Sequence, residues 1–195
     1  MQMMADMEQT LFTPPKRTLV HTRRVTCNGY VCSDGTLQVE ALMQDITVKG
    51  TDLYFKRLDA GEVIHGMRLT VTLDAELVIQ DVVTAMDDTP TPWCGEAQST
   101  YAALKGLKIA PGFTHQVKAR VGGTLGCTHL TELLGPLATT AMQTWFALRR
   151  DNGGLREQHA GDGPIAKPHV VGTCQAYRAE GPALEAIWPV HRRPV

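Results

Sequence analysis

The chain has 195 residues, of which 43% are hydrophobic and 20% charged, as is typical of a globular domain. Its 19 basic and 20 acidic residues give a net charge of −1, so it has no long-range field that would attract nucleic acid or an anionic membrane. No segment approaches the roughly 20 apolar residues that span a bilayer. The acidic start has no hydrophobic signal core, so we expect a cytoplasmic protein.

The first half of the chain has the alternating pattern of β-strands. Residues 1–18 are polar and predict an arm that precedes the domain. Two extended runs flank the turn at Asp34-Gly35 and predict a hairpin. Residues 43–66 look irregular because glycines interrupt them, and residues 68–83 predict a second pair of strands. The pattern therefore predicts an antiparallel meander of four strands.

The second half predicts two or three helices on this sheet, which makes the fold class α+β. Residues 95–105 and 114–121 predict two short helices, and a longer one begins near Thr128. Pro136 is expected to kink or split the long helix, because proline has no N–H for the helical ladder. The apolar stripe of this helix suits either the core or a homodimer face, and consists of Leu130, Leu133, Leu134, Leu137, Ala141, Trp145 and Leu148.

We therefore expect one domain over residues 19–150. Residues 151–195 contain several glycine-rich turns and few apolar residues, which predicts a loop-rich C-terminal appendage packed on that domain. The cysteines are odd in number and form no Cys-x-x-Cys pair, so we expect reduced thiols without a zinc ribbon or a thioredoxin-type motif. They are Cys27, Cys32, Cys94, Cys127 and Cys174.

The strongest chemical signal is a thiol and an imidazole where a glycine-rich turn enters the long helix. Cys127 lies at or just before the helix N-terminus, whose free N–H groups favour a thiolate, and His129 lies in the first turn. Cys94 opens the first short helix in the same way. The alternative is that both cysteines are small buried hydrophobic residues. Since residues two apart on a helix diverge by about 200°, Cys127 and His129 share a ligand only if Cys127 is still in the turn.

The strand half supplies further candidates of the kinds that bind zinc or ferrous iron. His21 and Arg23 share one strand face, and His65 precedes an alternating strand. Asp45 and Lys49 flank a short apolar run. A single histidine at a strand end is usually a surface residue, so these positions gain meaning only if the fold gathers them.

Several of these segments resemble an uncharacterised bacterial family, one of the domains of unknown function. The resemblance covers about residues 18–146, and the Gly126–Leu134 segment is its most specific part. It implies no activity. The resembling segments are His21-Thr22-Arg23-Arg24, Asp45 with Lys49, His65-Gly66-Met67, Pro92 with Cys94, Gly106-Leu107 and Gly126-Cys127-Thr128-His129-Leu130-Thr131-Glu132-Leu133-Leu134.

The order of elements is also similar to the scaffold of NifU- and SufU-type iron–sulfur assembly proteins. In that scaffold, cysteines that open helices gather at one end and bind zinc or a nascent cluster. Carried over to this chain, Cys94 and Cys127 would match, and His129 or His65 would replace the third cysteine, which has no clear counterpart. The similarity implies a fold and a site location more than a sulfur-transfer role.

These signals lead to three hypotheses. The first is a small cytosolic enzyme with hydrolase- or lyase-type chemistry on an acyl or aromatic catabolite. Its zinc or iron ligands would be Cys94, Cys127 and His129, and its catalytic residues would include Cys127, His129, His65 and Lys49. Without a metal, Cys127 would be a nucleophile beside a base. The second is a non-enzymatic metal or cluster carrier, and the third is a structural or partner-binding module.

Overall fold

A computed structural model describes residues 15–150 and 160–194. Residues 1–14 of the predicted arm and 151–159 and 195 of the predicted appendage lie outside this range, and the described residues 15–18 have no regular secondary structure. The chain is α+β, as expected, with a four-stranded antiparallel sheet and a few helices.

The main sheet is a meander of four long strands, in the order β1-β2-β5-β6, with a two-stranded ribbon inserted between β2 and β5. The predicted hairpin and the second strand pair are confirmed. The prediction of irregular structure for residues 43–66 is wrong at both ends, because β2 and β5 extend into it with polar residues in the same alternating phase. The strands are β1 (His21–Val31), β2 (Leu37–Thr47), β3 (Thr51–Asp52), β4 (Arg57–Leu58), β5 (Val63–Leu73) and β6 (Ile79–Asp88).

Helices follow the sheet in the predicted order. The first is a 3₁₀ helix at Cys94–Leu104, and it is followed by α1 (Phe113–Val121), a 3₁₀ turn and α2 (Thr128–Arg150). Pro136 lies inside α2 without splitting it. None of the described helices is both long and apolar enough to cross a membrane.

One face of the sheet packs against α1, α2 and the 3₁₀ helix. Inward residues of β2 and β5 are apolar and buried, and the first five members of the α2 stripe, from Leu130 to Ala141, are buried against them. Trp145 and Leu148 are partly buried at the edge of this core. The stripe therefore builds the core, and a homodimer stays a prediction.

Strand β1 and helix α2 lie unusually close together. A Cβ atom at Gly29 would collide with the side chain of Thr144, so only glycine fits this crossing. Further along, Thr140 is hydrogen-bonded to the thiol of Cys27. These contacts fix the helix along the strand, and they place its first turn over the end of the sheet where β1 begins.

Residues 160–194 contain a short helix, α3 (Pro182–Ile187), and a 3₁₀ turn. Leu184 and Ile165 are buried there, outside the cluster that forms the main core. His169 packs edge-on against Trp145, with ring centroids 5.4 Å apart. This segment thus contacts the end of α2.

Candidate functional site

Three polar residues stand side by side across the sheet. Arg23 on β1 pairs with Asp45 on β2, and Asp45 pairs with His65 on β5. Asp45 continues the inward row of β2 beyond Met43 and is only 2% exposed. The alternation of β2 that points its apolar residues into the core therefore also points the carboxylate of Asp45 inward.

Asp45 is the centre of a hydrogen-bond network. Arg23 donates from Nε to Oδ1 and from Nη2 to Oδ2, both at 2.7 Å. His21 Nε2 lies 3.2 Å from Oδ1, and His65 Nδ1 lies 3.2 Å from Oδ2. The hydrogen bond from Arg23 is the main reason why the pKa of Asp45 falls to about 2, against the opposing effect of burial. The carboxyl group is therefore ionised at neutral pH.

The first turn of α2 closes the network from above. His129 places Nε2 3.7 Å from Oδ2 of Asp45, and its ring stacks on that of His65 with centroids 3.7 Å apart at 26°. Glu132 accepts a hydrogen bond from Nη1 of Arg23 at 2.6 Å. The guanidinium group is thus shared between two carboxylates.

Burial disfavours the charged form of the two stacked imidazoles by lowering the pKa of each. Burial is the largest cause that lowers the pKa of His65, and the neighbouring His129 lowers it further, whereas Asp45 raises it. Burial likewise lowers the pKa of His129, against the opposing effect of Asp45. Neutral imidazoles keep a free lone pair, which is the form that binds metals.

These groups form a cluster that could hold a metal ion. One ligand atom each from Asp45, His65 and His129 lies within 4.8 Å of the other two. Within residues 15–150 and 160–194, this is the only such group of three or more histidine, cysteine or acidic side chains. Imidazole and carboxylate ligands suit zinc and ferrous iron.

One of the two predicted cysteines lies beside this cluster. Cys127 precedes the first residue of α2, and its Sγ lies 4.0 Å from Nδ1 of His129. Cys94 and Cys127 line one cavity of about 400 Å³. The structure therefore brings the two cysteines to one cavity and gathers His129 with His65 and Asp45, but the predicted ligand set of Cys94, Cys127 and His129 is not among the groups of three that converge.

The remaining candidates divide between the network and its surroundings. His21 and Arg23 both contact Asp45. Lys49 is exposed beyond the end of β2, and its ammonium group forms no ion pair with a described residue. Its predicted catalytic role therefore has no contact to support it.

Sequence reasoning missed Glu132 and Tyr101 as members of the site. Tyr101 is fully buried, and its hydroxyl accepts a hydrogen bond from the N–H of Cys127 at 3.1 Å and donates one to the carbonyl of Cys127 at 2.7 Å. The hydroxyl also contacts Thr131 Oγ1. Tyr101 thereby fixes the backbone of the turn, and no local pattern links it to residue 127. Glu132 carried only the signal of a carboxylate in a first helical turn.

A known family model matches most of the described chain. A family model described as "Protein of unknown function (DUF2889)" matches residues 21–143. The chain belongs to the DUF2889 family. The expected membership of a family of unknown function is thus confirmed. No curated protein and no solved structure matches the chain, so the similarity to NifU and SufU scaffolds stays a prediction.

The DUF2889 region contains the whole sheet and the complete Asp45 network. It begins at His21, and it includes both Cys94 and Cys127. Residues 160–194, with α3, lie outside it. The candidate site therefore belongs to the part of the chain that defines the family.

The metal-free DUF2889 domain is expected to lose stability as the pH falls below about 6.5, the ordinary pKa of histidine. Because the pKa values of His65 and His129 are lowered in the folded state, the unfolded chain takes up protons first. The contribution of the neutral rings is thus present above that pH and is lost as the pH falls through the lowered values. Urea denaturation across this range measures it.

The control for this pH effect is a histidine outside the network. His115 is exposed on α1, so His115→Gln should keep the same pH dependence as the wild type. The double variant His65→Gln, His129→Gln should flatten it. An unchanged slope in the double variant would show that other groups cause the loss.

Proposed function

We propose that this protein is a small metal-dependent enzyme of hydrolase or lyase type, in which Asp45, His65 and His129 hold one zinc or ferrous ion. The convergence of their three ligand atoms on a buried carboxylate is the observation that carries the proposal. The expected substrates are acyl or aromatic compounds.

The spacing of the ligand atoms supports this assignment. Two ligand atoms at the usual 2.0–2.1 Å from a tetrahedral zinc lie about 3.4 Å apart. Oδ2 of Asp45 lies 3.2 Å from Nδ1 of His65 and 3.7 Å from Nε2 of His129. The second distance exceeds that of a hydrogen bond, so a direct bond does not account for the position of His129.

The charges of the cluster also favour a cation. Arg23 donates to each oxygen of Asp45, and the second lone pair of Oδ2 faces Nδ1 of His65 at 3.2 Å, where an ion would replace that hydrogen bond. Glu132 offsets the charge of Arg23, so the two acids and one base leave the cluster with a net negative charge. Three protein ligands would leave a fourth position open, as in catalytic zinc sites, where the ion activates water or polarises a substrate oxygen.

A cobalt titration tests the proposal without an assay for activity. Chelator-treated protein should bind one Co²⁺ per chain and develop the visible absorption of a four- or five-coordinate ion, and zinc should displace it. His115→Ala, which alters an exposed histidine on α1, should bind equally. Absence of saturable cobalt and zinc binding would overturn the proposal.

A second candidate rests on the thiol. Cys127, His129 and Asp45 stand in the order of a nucleophile, a base and an orienting acid, with separations of 4.0 and 3.7 Å. Such an enzyme needs no ion, and 4-nitrophenyl acetate should leave an acetyl group on Cys127 that mass spectrometry detects. Acetylation of the exposed Cys174 at the same rate would contradict it.

The other two hypotheses stay predictions. A metal carrier would share the cobalt binding but would transfer its ion without turning over a substrate. A partner-binding module would show neither property.

A further inference from the structure

We infer that a groove beside Cys127 binds an uncharged aromatic group of the substrate, and that three exposed aromatic side chains receive it. This inference rests on the proposed function, because it names the substrate class of the same site. The three side chains are Tyr54, Phe55 and Trp93.

The groove consists of two adjoining cavities. The inner one, of about 400 Å³, is lined by Cys94, Cys127 and Trp93. The outer one, of about 450 Å³, is lined by Tyr54 and Phe55 in the turn between β3 and β4. Thr91 lines both, so the two cavities adjoin at this residue.

The inner end of the groove adjoins the candidate metal cluster through Cys127, although Asp45, His65 and His129 line neither cavity. Cys127 lines the inner cavity, and its Sγ lies 4.0 Å from Nδ1 of His129. A substrate lying in the groove would therefore place one end at Cys127, beside His129, while the rest of the molecule extends past Trp93.

The aromatic side chains that line the groove are exposed and lie outside the core. Tyr54 is 100% exposed, Phe55 55% and Trp93 58%, and only Tyr30 among the other described aromatic residues is also exposed. Phe55 stands edge-on to Trp93, with ring centroids 5.1 Å apart at 80°, and Tyr54 lies 6.5 Å from Phe55. An inserted aromatic ring would contact these rings edge-to-face or by offset stacking, in the geometries that aromatic pairs favour.

The charges of the lining decide against an anionic group in the groove. Asp52 lines the outer cavity and Glu96 the inner one, and neither lining includes a lysine, arginine or histidine. Arg57 lies 3.8 Å from Asp52 and offsets part of its charge, whereas Glu96 has no ion pair with a described residue. An anion in the inner cavity would therefore meet a like charge, whereas an uncharged ring would bury apolar surface. The lining therefore disfavours an anion, and the proposed occupant is a neutral aromatic group.

The test uses the full chain with a matched pair of probes, 2-acetylnaphthalene and naphthalene-2-sulfonate. The neutral probe should slow the alkylation of Cys94 and Cys127 by iodoacetamide, as measured by mass spectrometry for each cysteine, without slowing that of the exposed Cys174. The sulfonate should protect neither. Phe55→Ala and Trp93→Leu should each lower the affinity for the neutral probe by roughly three- to ten-fold, as expected for the loss of one aromatic contact.

Tyr30→Ala removes the other exposed aromatic residue, on β1, and should not change protection. Equal protection by the sulfonate, or no effect of Phe55→Ala and Trp93→Leu, would overturn the inference. Cobalt titration of the same variants separates the two proposals. Probe binding without cobalt binding contradicts the metal site alone, and cobalt binding without probe protection contradicts the groove alone.

Discussion

Alanine in place of His65 or of His129 is expected to abolish cobalt binding. Each substitution removes one of three converging ligands. The loss of affinity should exceed the roughly 10- to 100-fold that follows the removal of an outer partner of a metal ligand. The same titration that measures the wild-type protein measures this effect, with circular dichroism to show that each variant is folded.

Serine in place of Cys94 or of Cys127 provides the discriminating control. Both thiols lie outside the group of three, so Cys94→Ser and Cys127→Ser should bind cobalt as the wild type does. The opposite pattern, in which the serine variants lose the ion and His65→Ala keeps it, would favour the ligand set expected from the sequence. A strong thiolate-to-cobalt absorption band in the wild-type protein would lead to the same conclusion.

Removal of Arg23 is expected to destabilise the fold more than removal of the acid that it contacts. Arg23→Met leaves the carboxylate of Asp45 buried without its main partner, a defect that typically costs about 3–5 kcal/mol. Asp45→Asn leaves an arginine whose side chain is 38% exposed and that still contacts Glu132. We expect that variant to lose about 1–3 kcal/mol, the cost of its altered hydrogen bonds. Urea denaturation at neutral pH compares the two.

The chain offers a matched control for this asymmetry. Arg68 and Asp87 form the same two-bond geometry across β5 and β6, at 2.6 and 2.7 Å, but both side chains are exposed. Arg68→Met should therefore have a far smaller effect than Arg23→Met, because solvent replaces the lost partner. Equal losses at the two arginines would mean that burial of Asp45 is not the cause.

Local patterns predicted most of the architecture. Alternation around Asp34-Gly35 and over residues 68–83 identified the four strands, and the apolar stripe of α2 identified its buried face. The extensions of β2 and β5 were missed because glycines and polar residues stand where apolar ones were expected. Asp45 and His65 lie at alternating positions of their strands, so the pattern indicates that both point inward.

The composition of the site was harder to predict because it depends on register. All three residues that converge were candidates, but sequence proximity favoured pairing His129 with Cys127. What unites His129 with Asp45 is the placement of the first turn of α2 over a sheet end more than 60 residues earlier in the chain. The bond between Arg23 and Glu132 joins residues 109 positions apart, and no local motif encodes such a contact.

Among the described residues, strand β1 pairs on only one side, with β2, yet it carries the positive charge that neutralises Asp45. Fraying of that border would separate the guanidinium group from the carboxylate and admit water to the buried layer. The tight crossing at Gly29 and the bridge to Glu132 both oppose such fraying, because they hold the strand against α2. The pairing of β1 with β2 therefore keeps Arg23 against the buried carboxylate of Asp45.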